Sequence, residues 1–269
     1  MSIITTRHSR SYIMKKIISV YKPVGVTPLQ VIHTLKRKYS EYMNTKIGYA
    51  GRLDPMAEGL LLLLLGEENK QKERYEKLDK EYEFQAIFGC ETDSYDLLGK
   101  VHINSIPDIH LNEEIIKNAL FSFSGNSIQT YPPYSSVRVK GKPLFYWAFH
   151  NKLHEVTIPK KQVTISHLQF LSLESISTKD LQAYITETIQ LVSGNFRQEE
   201  ILNQWQIFFR KNTSTHFLML KATCACSSGT YIRSLVHDLG KKLNTSATTY
   251  AIRRTRIGAY TLDSAIQLW

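Results

Sequence analysis

The chain has 269 residues, 42% of them hydrophobic, which is enough for one large domain with a sizeable core and too many for wholesale disorder. Its 34 Lys and Arg against 24 Asp and Glu leave a formal net charge of +10. That balance points to a polyanionic partner, nucleic acid first and an anionic membrane surface second. Three cysteines, Cys90, Cys224 and Cys226, with no signal peptide, fit a reducing compartment rather than a disulfide scaffold.

No acidic residue precedes Glu41, and the chain starts MSIITTRHSRSYIMKK. Residues 1–14 are expected to form a loose basic tail, with organellar targeting as the minor alternative to a cytoplasmic location. Met14 stands directly before the first strand-like residues and is an alternative start. Residues 17–21 form a short apolar strand, and KPVGVT is a turn. Thr27 is placed to cap a helix whose first position suits Pro28. Leu29, Ile32, Leu35 and Tyr39 then recur at helical spacing, with Lys36, Arg37 and Lys38 on the opposite side.

The next segment, GYAGRLDPMAEGLLLLLLG (residues 48–66), places Asp54 just before Pro55 and six consecutive leucines. The leucine run is far shorter than the ~20 apolar residues that cross a bilayer. Bounded by Gly59 and Gly66, it reads as a strand buried on both faces. A carboxylate at the mouth of such a strand costs free energy unless it is paired or used.

Residues 80–89 alternate like a strand, 90–99 form a polar turn, and 112–123 are helical in pattern. Residues 129–139 are an extended Pro-rich stretch, and 161–175 read as a strand. Residues 179–192 and 198–210 carry helical patterns around a break at Gly194 and Asn195. A strand at 217–226 precedes Ile232, Leu235, Val236 and Leu239, again at helical spacing. Strands and helices mix without strict βαβ alternation, so the expected class is α+β with a mixed, mostly antiparallel sheet.

There is no Gly-rich phosphate loop and no GxSxG. Cys224 and Cys226 with His237 fit no usual zinc spacing, and an alternating strand puts both cysteines on one face. They are read as core residues, and neither a metal nor a cofactor is expected. Asp54, a set of tyrosines and the late arginines remain as carriers of chemistry.

At these residues the chain resembles the TruB family of pseudouridine synthases. GYAGRLDPMAEGLL is similar to the family's GHxGxLDPxAxGxL, and YKPVGVT to KPxGxTS. KEYEFQAIFGCETDSYDLLG, QTYPPYSSVRVKGKPLFYWA, CSSGTYIRSLVHDLG and AIRRTRIGAYTLDSAI resemble four further family blocks. All six occur in the family's order and span roughly residues 17–268.

The resemblance implies a pseudouridine synthase-like core with a central active-site cleft, occupying residues 15–269. It implies Asp54 as the catalytic aspartate, Tyr82 as the active-site tyrosine, and Arg233 as the arginine that keeps the carboxylate ionised and oriented. Whether Asp54 attacks C1′, attacks C6 or takes a C2′ proton is left open. Tyr231 is expected to line the pocket, Ile252 to pack on the base, and Lys22 with Pro23 to shape the cleft floor. Tyr131, Tyr134 and Arg138 support the pocket or touch RNA. The implied substrate is the T-arm of tRNA, with the uridine conventionally numbered 55 flipped out of its stack. Lys36, Arg37, Lys38, Arg253, Arg254 and Arg256 are candidate phosphate contacts.

Several positions depart from the family pattern. Tyr49 replaces the usual histidine, which belongs to RNA docking, and is expected to meet substrate there. Arg52 stands two residues before Asp54, where it contacts phosphate or competes for the carboxylate. Residues 177–214 read as a helical insertion that extends the RNA surface or decorates the fold. The chain stops after the LDSAI block, without the C-terminal PUA domain frequent in the family, from which weaker tRNA affinity is expected. The leading expectation is a monomeric tRNA pseudouridine synthase with no obligate protein partner and no membrane. The alternative is a tRNA-binding or RNA-folding module whose catalysis has degenerated.

Overall fold

The structure, a computed structural model, describes residues 16–103, 111–212 and 214–269. The expected basic tail at 1–14 lies outside them. Strand β1 (Ile17–Lys22) leads through a turn into helix α1 (Pro28–Lys38). That helix starts where its capping residues dictate. Thr27 Oγ1 accepts from Gln30 N, and Gln30 Oε1 accepts from Thr27 N, which satisfies two amides that the first turn leaves free.

After β2 (Ile47–Ala50) comes the leucine strand β3 (Ala57–Leu65), in which every residue but Glu58 is buried. Successive side chains point to opposite faces. Leu61, Leu63 and Leu65 pack with Ile18, Val31 and Leu35. Leu60, Leu62 and Leu64 pack with Ala50, Tyr75 and Ile257 on the other side. Each fully buried leucine contributes about 1.5–3 kcal/mol, so this strand anchors the sheet around it.

Helix α2 (Lys72–Glu76) precedes β4 (Lys80–Phe88). Helix α3 (Glu113–Phe121), capped by Asn112, leads to the edge strand β5 (Gly125–Thr130). A two-residue ladder, β6 (Arg138–Val139) with β7 (Lys142–Pro143), introduces α4 (Leu144–Phe149). The long β8 (Lys160–Ser177) is followed by helices α5 (Thr178–Leu191) and α6 (Gln198–Lys211), then β9 (His216–Cys226). Helix α7 (Ile232–Lys242), β10 (Ala247–Ile257) and β11 (Tyr260–Thr261) complete the order.

The main sheet runs β1-β3-β10-β4-β9-β8-β5, with β2 also on β3 and β11 on β10. Its strand pairs are antiparallel except β10 with β3, so the sheet is mixed and mostly antiparallel, flanked by helices. Helix α7 closes one face over β4 and β10, with Leu235, Val236 and Leu239 in a core shared with Phe84, Ala86 and Leu220. Strands β8 and β9 stay paired as far as Ser177 and His216, so helices α5 and α6 stand where a hairpin turn would otherwise close. Among the described residues no helix is long and apolar enough to cross a membrane.

Candidate active site

Asp54 sits in the loop between β2 and β3, and two glycines let that loop wrap around a buried arginine. Gly51 has φ +73°, and Gly59 has φ +109°. A side chain at Gly59 would place its Cβ 2.3 Å from the Arg254 carbonyl oxygen, where β10 runs beside β3. Arg254 is only 1% exposed. Its Nε donates to Leu60 O at 2.8 Å, Nη2 to Gly51 O at 3.0 Å and Nη1 to Arg52 O at 3.5 Å. The guanidinium ties both ends of the loop to the sheet.

Arg233 approaches from the first turn of α7. Tyr231, at that helix's N-terminus, is held by Gln129, whose Oε1 accepts from Tyr231 N at 2.8 Å while Nε2 donates to Tyr231 O at 3.0 Å. Arg233 is buried and Asp54 partly open, with side-chain exposures of 3% and 31%. The Arg233 Nε donates to Asp54 Oδ2 at 2.9 Å, Nη1 to Ser94 O at 2.7 Å and Nη2 to Tyr134 O at 3.1 Å. Asp96 Oδ2 lies 3.7 Å from the same Nε. Burial pulls the Arg233 pKa down, but Asp54 and Asp96 more than offset it, so the guanidinium stays charged.

Asp96 itself is buried, and burial pushes its carboxyl up to about 6, against the opposing pull of Arg233 and of the Ser94 Oγ and Leu98 N hydrogen bonds. The carboxylate that retains access to solvent is therefore Asp54. A small cleft opens beside it, lined also by Met56, Ala57, Asp96, Thr249, Tyr250, Ala251 and Ile252.

Of the residues singled out in the sequence, Asp54 and Arg233 form a direct ion pair and Ile252 shares their cleft. Tyr231 packs edge to face on Tyr131 with ring centroids 5.5 Å apart, and its hydroxyl is raised to about 12 by burial and then by the Asp54 charge. Tyr82 stands opposite Arg254 in the β4–β10 register. Burial raises its hydroxyl to about 12 although Arg254 opposes this, so it is a proton-bearing phenol at neutral pH.

Lys22 is fully buried, and its Nζ donates to Pro23 O at 2.9 Å and Val26 O at 2.7 Å. It holds the turn whose Gly25 N donates to Pro55 O at 2.8 Å beside Asp54, and it offers no surface to a substrate. Arg254, expected as a phosphate contact, is likewise inside the sheet, and Arg253 is the half-exposed neighbour. Arg52 does not compete for Asp54. Its Nη2 donates to the Tyr49 hydroxyl at 3.1 Å, on the outer side of the loop.

Asp96, Ser94 and Gln129 complete the site; Asp96 and Gln129 were not singled out from sequence, and Ser94 stands where the family commonly has threonine. Asp96 lies within KEYEFQAIFGCETDSYDLLG, one of the segments that resemble the family, and that is the one signal that marks it. Cys224 and Cys226 are buried and unpaired on one face of β9, and the described residues contain no metal-holding group of three or more His, Cys, Asp or Glu.

Comparison with known proteins identifies the family. Residues 36–191 match the family described as TruB family pseudouridylate synthase (N terminal domain). The chain is 32% identical over 261 residues to the tRNA pseudouridine synthase B of Bordetella parapertussis, covering 96% of this chain and 87% of that protein. It is 31% identical over 251 residues to the protein of the same name from Fusobacterium nucleatum, covering 93% of this chain and 70% of that one. The fold is similar to a chain in the crystal structure of a Cbf5-Nop10-Gar1 complex, with a TM-score of 0.57 at 20% identity. That match covers 94% of this chain, which spans about half (52%) the length of the solved one. An H/ACA RNP bound to a substrate RNA containing 2′-deoxyuridine gives a TM-score of 0.54 at 19% identity, over 94% of this chain and 50% of that one. With a family match over more than half its length and relatives aligned along nearly all of it, this chain belongs to the TruB family of pseudouridylate synthases.

Proposed function

We propose that the chain is a tRNA pseudouridine synthase that converts the T-loop uridine at conventional position 55 to pseudouridine, with Asp54 as the essential carboxylate. The observation that carries this reading is the Asp54–Arg233 pair, in which a buried, doubly anchored arginine aims a partly open carboxylate into a cleft. The reaction breaks the C1′–N1 bond, turns the base and joins C1′ to C5. The C5 proton is lost, N1 gains one, and neither electrons nor a co-substrate are required. Attack at C1′, attack at C6 and removal of a C2′ proton all need an oriented carboxylate, and the Arg233 Nε hydrogen bond to Asp54 Oδ2 orients it.

The remaining groups have supporting roles in this proposal. Ile252 and Tyr231 retain the detached uracil, and Tyr82 stacks on it and moves a proton near C5 as a neutral phenol. Lys22 shapes the floor beneath it. The uridine must leave its stack to reach this depth, and the net charge of +10 favours the tRNA backbone. Residues 15–269 form one catalytic domain in this reading, with residues 177–214 a helical insertion. The protein acts as a monomer in the cytoplasm, where its substrate is.

The test is pseudouridine mapping on an unmodified tRNA transcript with wild type beside Asp54→Asn. Product at the T-loop uridine with wild type alone is expected, with tRNA binding kept in the variant. An Asp54→Asn protein that still forms product refutes the role of the carboxylate.

A further inference from the structure

Helices α5 and α6 are not a detached decoration. Leu181, Ile185, Trp205 and Phe208 share an apolar cluster with Met56, two residues beyond Asp54, and with Leu97. Tyr184 of α5 stacks on Tyr250 of the cleft wall with ring centroids 4.2 Å apart, and Trp205 Nε1 donates to Leu97 O at 3.3 Å. The helical pair is therefore a wall of the catalytic region.

The most directed contact comes from Arg197, the residue before α6. Its φ is +64°, a conformation that glycine or asparagine adopts more easily, so what arginine adds at this position is its side chain. That side chain is 10% exposed. Nη1 donates to Asp93 Oδ2 at 2.8 Å and Nη2 to Asp93 Oδ1 at 3.3 Å, a two-pronged contact with a fixed plane. The guanidinium also lies 4.4 Å over the Tyr134 ring, whose hydroxyl donates to Asp93 Oδ2 at 3.2 Å.

Asp93 and Tyr134 belong to the two segments that aim Arg233. Asp93 directly precedes Ser94, whose carbonyl accepts from Arg233 Nη1, and the Tyr134 carbonyl accepts from Nη2. We propose that Arg197 is a positioning residue for the reaction: by clamping Asp93 to Tyr134 it fixes the two main-chain carbonyls that direct Arg233 at Asp54. The inference rests on the catalytic role of Asp54 proposed above. It also gives the helical pair a purpose, since one side chain from its central joint spans the base of the ion pair without touching the substrate.

The test uses the full chain with Arg197→Gly and Arg197→Lys. Glycine relieves the backbone at this φ while deleting the clamp, and lysine keeps the charge without the fork. At saturating tRNA, the single-turnover rate of Arg197→Gly is expected to fall on the order of 10²-fold, the scale of a misplaced catalytic group. The tRNA Kd should stay within about twofold, since phosphate contacts elsewhere carry affinity. Arg197→Lys should fall between the two, and millimolar guanidinium should restore part of the Arg197→Gly rate, which a role confined to stability would not produce. A rate within about twofold of wild type, or a loss that follows Kd or thermal stability instead of the saturated rate, overturns the inference. Wild type that forms no pseudouridine overturns the functional reading and the inference together. Wild type that reacts, Asp54→Asn that does not, and Arg197→Gly at the wild-type rate overturn the inference alone.

Discussion

Replacing Arg254 by methionine separates a buried brace from a surface cation. Methionine has a similar reach without donors. The change strands the Leu60 and Gly51 carbonyls, which Arg254 contacts at 2.8 and 3.0 Å, and removes a weaker contact to Arg52 O at 3.5 Å. Each stranded buried carbonyl costs about 1–3 kcal/mol. Removing the guanidinium returns part of this, because a buried charge carries its own desolvation cost. A net loss of about 3 kcal/mol follows, and a chain of this size loses about 2–4 °C of Tm per kcal/mol, so Tm should fall by about 10 °C. The assay is thermal unfolding followed by circular dichroism, with Arg253→Ala as the comparison. Arg253 is half exposed beside Glu58 and Glu83, and its loss should leave Tm within about 2 °C while weakening tRNA binding and its salt dependence. The reverse pattern would refute the reasoning: Arg254→Met with an unchanged Tm and a shallower salt slope makes Arg254 a phosphate contact, as the sequence suggested.

Two further expectations rest on the same packing. Gly59→Ala places a Cβ against the Arg254 backbone at φ +109° and should cost more than about 3 kcal/mol, whereas Gly66→Ala, with nothing within 4 Å and φ +56°, should cost about 1 kcal/mol; equal losses in urea unfolding would contradict the close approach of β3 and β10. Burial holds the Lys22 ammonium down at about 7, against 10.5 in an ordinary environment. Between those values the unfolded chain binds more protons than the folded one, so the cost of burying Lys22 is complete below pH 7 and is relieved as pH rises. Wild type should gain about 2 kcal/mol over Lys22→Met between pH 7 and pH 9, and a difference that does not change with pH would place Lys22 in contact with water.

The parts of the fold legible in sequence are those whose signal is local. The Thr27–Pro28 start of α1 and the leucine run of β3 carry their own capping and burial patterns, and both stand where expected. Residues 179–192 and 198–210 read as helices and are helices within one residue at each end. Strand β10 was not read, because ATTYAIRRTRI presents three arginines that look solvated. One of them, Arg254, is satisfied by carbonyls supplied about 200 residues earlier, which no local pattern reports. Strand β2 and helix α2, of four and five residues, are too short to show a period and exist through their packing. In the site, Asp54 and Arg233 came from resemblance to family blocks. Their contact joins residues 179 apart, and Arg197 meets Asp93 across 104, so neither is visible before the chain is folded.

The oddity of a lone acid at the mouth of the leucine strand is resolved by its neighbours. Here, Arg254 and Lys22 spend their donors on main-chain carbonyls and hold the loop and the turn in place. Arg233 is left as the cation that meets Asp54, with one bond at 2.9 Å that fixes the carboxylate through a single oxygen. Asp96, the other acid near Arg233, is buried deeply enough for its carboxyl to rise to about 6. The arrangement therefore separates two tasks that one residue could not combine. Buried basic side chains supply position, and the partly open Asp54 meets what enters the cleft. Apolar substitutes for Lys22, Arg233 and Arg254 would fill the same volume but could not hold the carbonyls that shape the site, which is why a chain with so greasy a strand keeps three buried basic side chains near the carboxylate at its mouth.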